Sequence, residues 1–185
     1  MMQRYIWNAA ALVWGFAEAT LFFIVPDVIL SLIGLQRGVR PGALAAICAA
    51  AGAGLGGAVM FTWSAVAPSD VRDIVLALPA ISVDMVEAAR ASMAEHGWLL
   101  ATFAGPVTST PYKVFAMLAP DAGAPMLLFA LASVAARLPR FILAAAVASL
   151  ARAWLGRRFS ARTLTLLWAA GWIMFYAAFF ASMPS

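Results

Sequence analysis

The sequence predicts an all-α integral membrane protein with two opposed re-entrant helical hairpins and about three transmembrane helices. Of its 185 residues, 65% are hydrophobic and only 11% are charged, and the mean hydropathy is +0.94. A soluble domain has roughly 45–50% apolar and about 25% charged residues. The apolar residues form five long stretches, two of which are interrupted by prolines and charges. We therefore expect the whole chain, residues 1–185, to form a single membrane domain.

Three of the five stretches predict transmembrane helices, and one of them, 124–150, contains Arg137 and Arg140. A hydrocarbon core about 30 Å thick needs roughly 20 helical residues to cross it. Stretches of sufficient length and apolarity cover residues 42–67, 124–150 and 163–183. The apolar run after Arg4 has no clear small-residue cleavage site, so we expect it to be retained and not removed as a signal peptide.

The two interrupted stretches predict re-entrant hairpins. Residues 5–36 contain Pro26 near their middle, and residues 97–122 contain Pro111. Proline removes a backbone donor and clashes with the preceding helical turn. At membrane depth such a break is tolerated where it is buried in protein or lines a wet cavity. We therefore expect each stretch to turn back near its proline.

Residues 68–96 are the most polar part of the chain. Apolar residues at positions 81, 85, 88 and 89 form a narrow stripe that is typical of an amphipathic helix lying at the membrane interface. An ordinary solvated connection is an equally good interpretation of the same pattern.

The charges outside the membrane favour the hairpin arrangement. With two hairpins, one face of the membrane receives seven basic residues and no acid, and the other receives two basic and six acidic residues. The positive-inside rule makes the first face cytoplasmic, including the loop Arg152–Arg162. If every stretch crossed the membrane instead, Arg37 and Arg40 would lie outside. The seven basic residues are Arg4, Arg37, Arg40, Arg152, Arg157, Arg158 and Arg162.

The hairpin arrangement also predicts an internal inverted repeat. One hairpin and one transmembrane helix (5–36, then 42–67) are followed by a second hairpin and a second transmembrane helix (97–122, then 124–150). The two hairpins enter from opposite faces. Inverted repeats with broken helices that meet near the bilayer midplane are typical of transporters.

Five ionisable side chains lie in apolar surroundings, and intramembrane charges are candidates for function. Arginine pairs well with phosphate and stays charged when buried, whereas carboxyl groups can exchange protons. The set has the chemistry of a coupled anion carrier. Alternatively, the charges pair with one another and only hold the hairpins together. The five are Glu18, Asp27, Lys113, Arg137 and Arg140.

Three hydroxyl side chains, Thr108, Ser109 and Thr110, precede Pro111. They would either cap the broken helix or bind a phosphate. The chain has one histidine and one cysteine, so we expect no zinc site and no cofactor. It has no recognisable nucleophile–base pair, so we do not expect an enzyme. The arginines of the 152–162 loop lie beside a predicted transmembrane helix, which favours anionic lipid over nucleic acid as their partner.

The run FAGPVTSTPYKVFA, residues 103–116, resembles the second re-entrant segment of the DedA family, also called the SNARE-associated or VTT-domain superfamily. The resemblance is closest to the YqaA-like branch, in which a Pro-Tyr-Lys turn precedes small residues. The segment Arg137–Phe141 is similar to the paired-arginine helix of that family, and Glu18 with Pro26 and Asp27 resembles its acidic first hairpin.

The resemblance implies a lipid transporter of the bacterial inner membrane that moves an anionic lipid, such as undecaprenyl phosphate, between leaflets. It implies lipid binding by Arg137, Arg140 and Lys113, with the hydroxyls of residues 108–110, and proton coupling by Glu18 and Asp27. A homo-oligomer is compatible with it. Three alternatives stay open, namely a membrane scaffold or assembly factor, a non-specific phospholipid scramblase, and an intramembrane enzyme acting on lipid phosphates.

Overall fold

The computed structural model describes residues 2–108 and 110–182, with side chains for residues 5–105, 108 and 110–182. Within these residues the chain folds into eight helices and no strand. The helices are α1 Met2–Thr20, α2 Asp27–Arg37, α3 Val39–Val66, α4 Pro68–Leu76, α5 Val83–Thr108, α6 Tyr112–Leu118, α7 Met126–Leu155 and α8 Ala161–Ala181.

Three of the described helices, α3, α7 and α8, are long and apolar enough to cross a membrane. They coincide with the predicted transmembrane segments 42–67, 124–150 and 163–183, although residue 183 lies outside the described residues. The prediction of a helical, membrane-associated protein is thereby confirmed at this level.

The helices end where the sequence supplies residues that cannot continue them. Gly38 separates α2 from α3 with φ of 92°, a conformation that glycine adopts far more readily than other residues. Pro68 begins α4 directly after α3, as expected for proline in a first helical turn. The apolar stretch 5–36 is broken at residues 21–26, close to Pro26, and the stretch 97–122 is broken at residues 110–111, at Pro111.

The predicted polar segment 68–96 forms α4 and the first part of α5. Helix α5 does not stop at residue 96, because it continues to Thr108 across a kink at Gly97, where φ is 80° and ψ is 153°. Gly97 therefore marks the boundary between the polar part of α5 and its apolar part.

Replacing Gly97 by alanine should lower the free energy of unfolding by about 1–3 kcal/mol, because this backbone conformation is almost restricted to glycine. A methyl group there would meet no atom within 4 Å, so the expected loss comes from the backbone alone. Thermal unfolding in detergent would measure it. The matched control is Gly171→Ala in α8, where a methyl group also meets nothing within 4 Å. Equal stabilities of the two variants would contradict the prediction.

Small residues bring the long helices into direct contact. Gly52 of α3 lies against the backbone of Leu12 in α1, and Gly34 of α2 lies against the backbone of Ala145 in α7. A side chain at either glycine would overlap a carbonyl group of the facing helix. Close approach through small residues is the usual way in which helices associate in membranes. Two clusters of buried residues result, one around α1, α2 and α3 and the other around α4, α5 and α6, and α7 contributes to both.

Helix α8 is attached differently. Leu164 is its only buried residue among those described. Its contacts with the rest of the chain are mainly polar and aromatic, and they lie along one face. Trp168 and Trp172 donate their indole N–H groups to Ser31 Oγ at 2.9 and 3.2 Å. The hydroxyl of Tyr176 accepts a hydrogen bond from the backbone N–H of Val25 at 3.0 Å.

Candidate functional site

A cavity of about 320 Å³ lies where the turn after α1, the α5–α6 break, α7 and α8 meet. One part of its wall is polar, and much of the remainder is aromatic. Five of the eight predicted site residues line it, namely Glu18, Thr110, Lys113, Arg137 and Arg140. Aromatic side chains contributed by α8 and its neighbours close the cavity, namely Phe23, Phe115, Phe141, Phe175, Tyr176 and Phe179. An apolar cavity with a few convergent polar groups is the usual form of a ligand site.

Two of the buried charges in the cavity wall form a pair. The guanidinium of Arg137 in α7 donates from Nη2 to a carboxylate oxygen of Glu18 in α1. The side chains are only 10% and 8% exposed, respectively. Breaking such a buried pair by removing one partner is costly, because the remaining charge is left without compensation.

Arg137 keeps unused hydrogen-bonding capacity. Its guanidinium lies between two aromatic rings, 4.8 Å from the centroid of Tyr112 and 5.1 Å from that of Phe141. Cation–π contacts of this kind favour a cation without accepting its N–H groups. The Nε and Nη1 atoms are buried and have no acceptor among the described residues. A buried donor without a partner costs about 1–3 kcal/mol, so Arg137 is suited to receive a further anionic acceptor.

The second pair joins Arg140 to Asp27 at the start of α2. Two hydrogen bonds form it, Nε to Oδ1 at 3.2 Å and Nη2 to Oδ2 at 3.0 Å. Two parallel bonds fix the relative orientation of the two groups as well as their distance. The Asp27 side chain is 11% exposed, whereas that of Arg140 is 49% exposed. Asp27 itself is not part of the cavity lining and reaches the cavity only through Arg140.

Lys113 is buried at the start of α6 and already has a partner. Its Nζ donates to the backbone carbonyl of Phe22 at 2.7 Å. This bond joins the turn after α1 to the break between α5 and α6. In this conformation Lys113 links the two interrupted stretches and contributes positive charge to the cavity wall.

The three hydroxyl residues are not equivalent. Thr110 lines the cavity. Thr108 is exposed and donates to the carbonyl of Gly105 at 3.2 Å. The hydroxyls of Thr108 and Thr110 are also 3.2 Å apart. Ser109 lies outside the described residues. No described side chain caps the N-terminus of α6, which follows Pro111.

Tyr112 was not among the residues that the sequence predicted for the site. Its ring lies under Arg137 and against Phe129, and its hydroxyl donates to Ser133 Oγ at 2.6 Å. Gly57 leaves the room that the Tyr112 ring occupies. The sequence shows that Tyr112 is next to Lys113, but it does not show that its side chain contacts Phe129, Ser133 and Arg137, which are 17 to 25 residues away.

The described residues contain no group of three or more histidine, cysteine, aspartate or glutamate side chains that could hold a metal ion. The donor set at the cavity therefore consists of arginine, lysine, carboxylate and hydroxyl groups. Such a set suits an anion, because each acid–arginine pair is neutral and Lys113 adds a positive charge that no described carboxylate pairs with.

Comparison with protein-family models, with curated proteins and with solved structures gives no match for this chain.

Proposed function

We propose that this chain is a DedA-like transporter of the bacterial inner membrane that moves an anionic lipid bearing a phosphate group, such as undecaprenyl phosphate, between leaflets. The observation that carries the proposal is the cavity in which Glu18 and Arg137 form a buried pair while two N–H groups of Arg137 lack an acceptor. A phosphate oxygen would accept from those groups, and the apolar wall would surround the adjoining part of the lipid.

Contacts at the helix ends support two re-entrant hairpins. The guanidinium of Arg37 lies 5.5 Å from the ring centroid of Trp7, so the start of α1 and the end of α2 are close. Arg90 in α5 pairs with Asp121 after α6 at 3.3 Å, so the start of α5 and the end of α6 are also close. Helix α3, about 42 Å long by its 28 residues, separates the two regions.

The packing of the helices also supports the inverted repeat. In the first unit α1 and α2 precede α3, and in the second unit α5 and α6 precede α7. Helix α2 packs on α7, and α6 packs on α3. Helix α1 packs on α3, and α5 packs on α7. Helices at the same position in the two units therefore pack on helices at the same position. Both acid–arginine pairs join the first unit to the second. Transporters built from repeats also have their binding sites between the repeats.

The proposed mechanism is an exchange of acceptors. In the present arrangement the carboxylate of Glu18 pairs with Arg137, and that of Asp27 pairs with Arg140. Protonation of a carboxyl group removes its negative charge and frees its arginine for the lipid phosphate. Loss of the proton restores the pair and displaces the phosphate. The basic end of the molecule, with Arg152–Arg162, would face the cytoplasm by the positive-inside rule. The proposed transporter has no enzymatic step and needs no cofactor.

Transport in liposomes tests the proposal. Labelled undecaprenyl phosphate would be placed in one leaflet, and its movement followed with and without a pH gradient. We expect the double variant Glu18→Gln with Arg137→Gln to lose transport by about tenfold or more, the effect of one charge-assisted hydrogen bond. Arg90→Gln, the same substitution at an exposed pair outside the cavity, should keep the wild-type rate. Full activity of a folded variant neutralised at Glu18, Asp27, Lys113, Arg137 and Arg140 would overturn the proposed site.

A scaffold or assembly factor is the second candidate, because the same pairs also connect separate helices. Lys113 joins the two breaks through the Phe22 carbonyl, and Arg140 joins α7 to α2. A scaffold would lose folded yield on these substitutions while the folded wild type moved no lipid. Transport that ignored the gradient and the lipid headgroup would instead identify a scramblase.

A further inference from the structure

A second cavity of about 430 Å³ lies at the opposite end of α7 from its first turn, where the chain passes through residues 156–160 into α8. Its polar lining comes from Ser149, Arg152 and Arg157. It shares no lining residue with the cavity around Arg137. The two sites are therefore separate.

The two arginines of this cavity differ in their hydrogen bonding. Nη1 of Arg152 donates to the carbonyl of Leu35 at 2.9 Å and also to that of Gln36. These carbonyls belong to the last turn of α2, whose final carbonyl groups lack helical partners. Arg157, in contrast, is exposed and has no hydrogen bond or ion pair with any described residue. Its charge is free for a ligand.

The surroundings add positive charge and no negative charge. Arg158 is exposed on the same short turn, and Arg162 is exposed in the first turn of α8. No aspartate or glutamate follows Asp121 in the sequence, so no acid of this segment can neutralise these side chains. The field at the cavity therefore favours an anion, and a guanidinium is well suited to phosphate oxygens.

An apolar strip leads away from the cavity along α7. Val147, Leu150 and Trp154 are spaced three and four residues apart and share one helix face. Their exposed fractions are 55%, 64% and 76%. Exposed tryptophan close to arginines is typical of the level of lipid headgroups. A ligand with both a phosphate and acyl chains would fill the cavity and cover this strip, whereas a free phosphate would use only the cavity.

We propose that this cavity binds the headgroup phosphate of an anionic phospholipid of the surrounding leaflet, with Arg157 as its main charged contact and Ser149 as a hydroxyl contact. The bound lipid would hold the α7–α8 turn beside the end of α2, to which Arg152 already connects it. Lipid binding at this cavity does not depend on the proposed transport. A result that excluded transport would therefore leave this proposal unaffected.

Native mass spectrometry of the full chain, released from detergent in the presence of phosphatidylglycerol or phosphatidylcholine, tests this site. The wild type should retain phosphatidylglycerol about tenfold more strongly than phosphatidylcholine, because the choline cation offsets the phosphate charge and weakens the charge-assisted bond to Arg157. Arg157→Gln should lose that preference. Arg72→Gln, which removes the same charge at the exposed pair with Glu87, should retain it.

Several results would overturn the site. Equal loss in the Arg157→Gln and Arg72→Gln variants would indicate attraction by overall charge. Equal binding of the two lipids by the wild type would exclude selection for a headgroup with net negative charge. Displacement of phosphatidylglycerol by millimolar inorganic phosphate would identify a site for free anions and not for a lipid. Elution and melting of the two variants without added lipid should match the wild type, which separates a binding defect from misfolding.

Discussion

Replacing Arg137 by glutamine is expected to lower the free energy of unfolding by about 3–5 kcal/mol, the range found when one partner of a buried ion pair is removed. The carboxylate of Glu18 would remain buried without its cation. The two cation–π contacts with Tyr112 and Phe141 would be lost as well. The fraction of monodisperse protein after detergent extraction, followed by a thermal melt of that fraction, measures the loss.

The double variant Glu18→Gln with Arg137→Gln provides the control. Two amides can still hydrogen-bond across the same gap, and neither leaves a buried charge behind. We therefore expect the double variant to recover most of the stability that the single variant loses. If the single variant is as stable as the wild type, the pair is not buried as described. If the double variant is no better than the single one, the loss does not come from an unpaired carboxylate.

Replacing Gly52 by leucine is expected to abolish most of the folded yield. The new side chain would overlap the carbonyl group of Leu12, so α1 would have to move away from α3 along this contact. Overpacking a well-packed core typically costs about 1–3 kcal/mol and more when the obstacle is backbone, which cannot change rotamer. Folded yield and melting temperature in detergent are the measurements.

The same glycine-to-leucine change at position 171 is the matched control. Gly171 lies exposed on α8, and a Cβ atom added there meets nothing within 4 Å. We expect Gly171→Leu to express and melt like the wild type. Gly34→Leu, at the contact of α2 with α7, should behave like Gly52→Leu. Equal tolerance at positions 52 and 171 would show that α1 and α3 do not meet through this glycine.

The long helices could be predicted because the length and apolarity of a segment can be seen directly in a single sequence. The segments around α3, α7 and α8 needed only the number of apolar residues that crosses a bilayer. Pro26 and Pro111 marked the two breaks because proline disfavours a helix interior, although Pro139 lies inside α7 without ending it. The kink at Gly97 within a longer α5 was less visible, because helix continues on both sides of a single unusual residue.

The composition of the site was predictable, but its connections were not. Five charges of both signs in apolar stretches implied pairing, yet nothing in one sequence selects Arg137 for Glu18 and Arg140 for Asp27. Their partners lie 119 and 113 residues away. The bond from Lys113 to a backbone carbonyl was also hidden, since a carbonyl acceptor exists at every residue.

The contribution of α8 was hidden for a different reason. Its sequence is that of an ordinary apolar helix. The four-residue spacing of Trp168, Trp172 and Tyr176 places them on one face, but only the structure shows that this face forms hydrogen bonds with Ser31 and Val25. Aromatic residues at four-residue intervals occur on many membrane helices that simply face lipid. The residues of α8 that line the cavity could therefore be identified only from the tertiary structure.

The slight attachment of α8 separates two tasks within the chain. Both acid–arginine pairs and nearly all of the buried hydrophobic core belong to residues before α8. Helix α8 supplies the aromatic side chains of Phe175, Tyr176 and Phe179 to the cavity wall. Substitutions at these three positions would reshape the cavity while leaving the charge pairs and the packed helices in place. The shape of the cavity can therefore change independently of the residues that keep the protein folded.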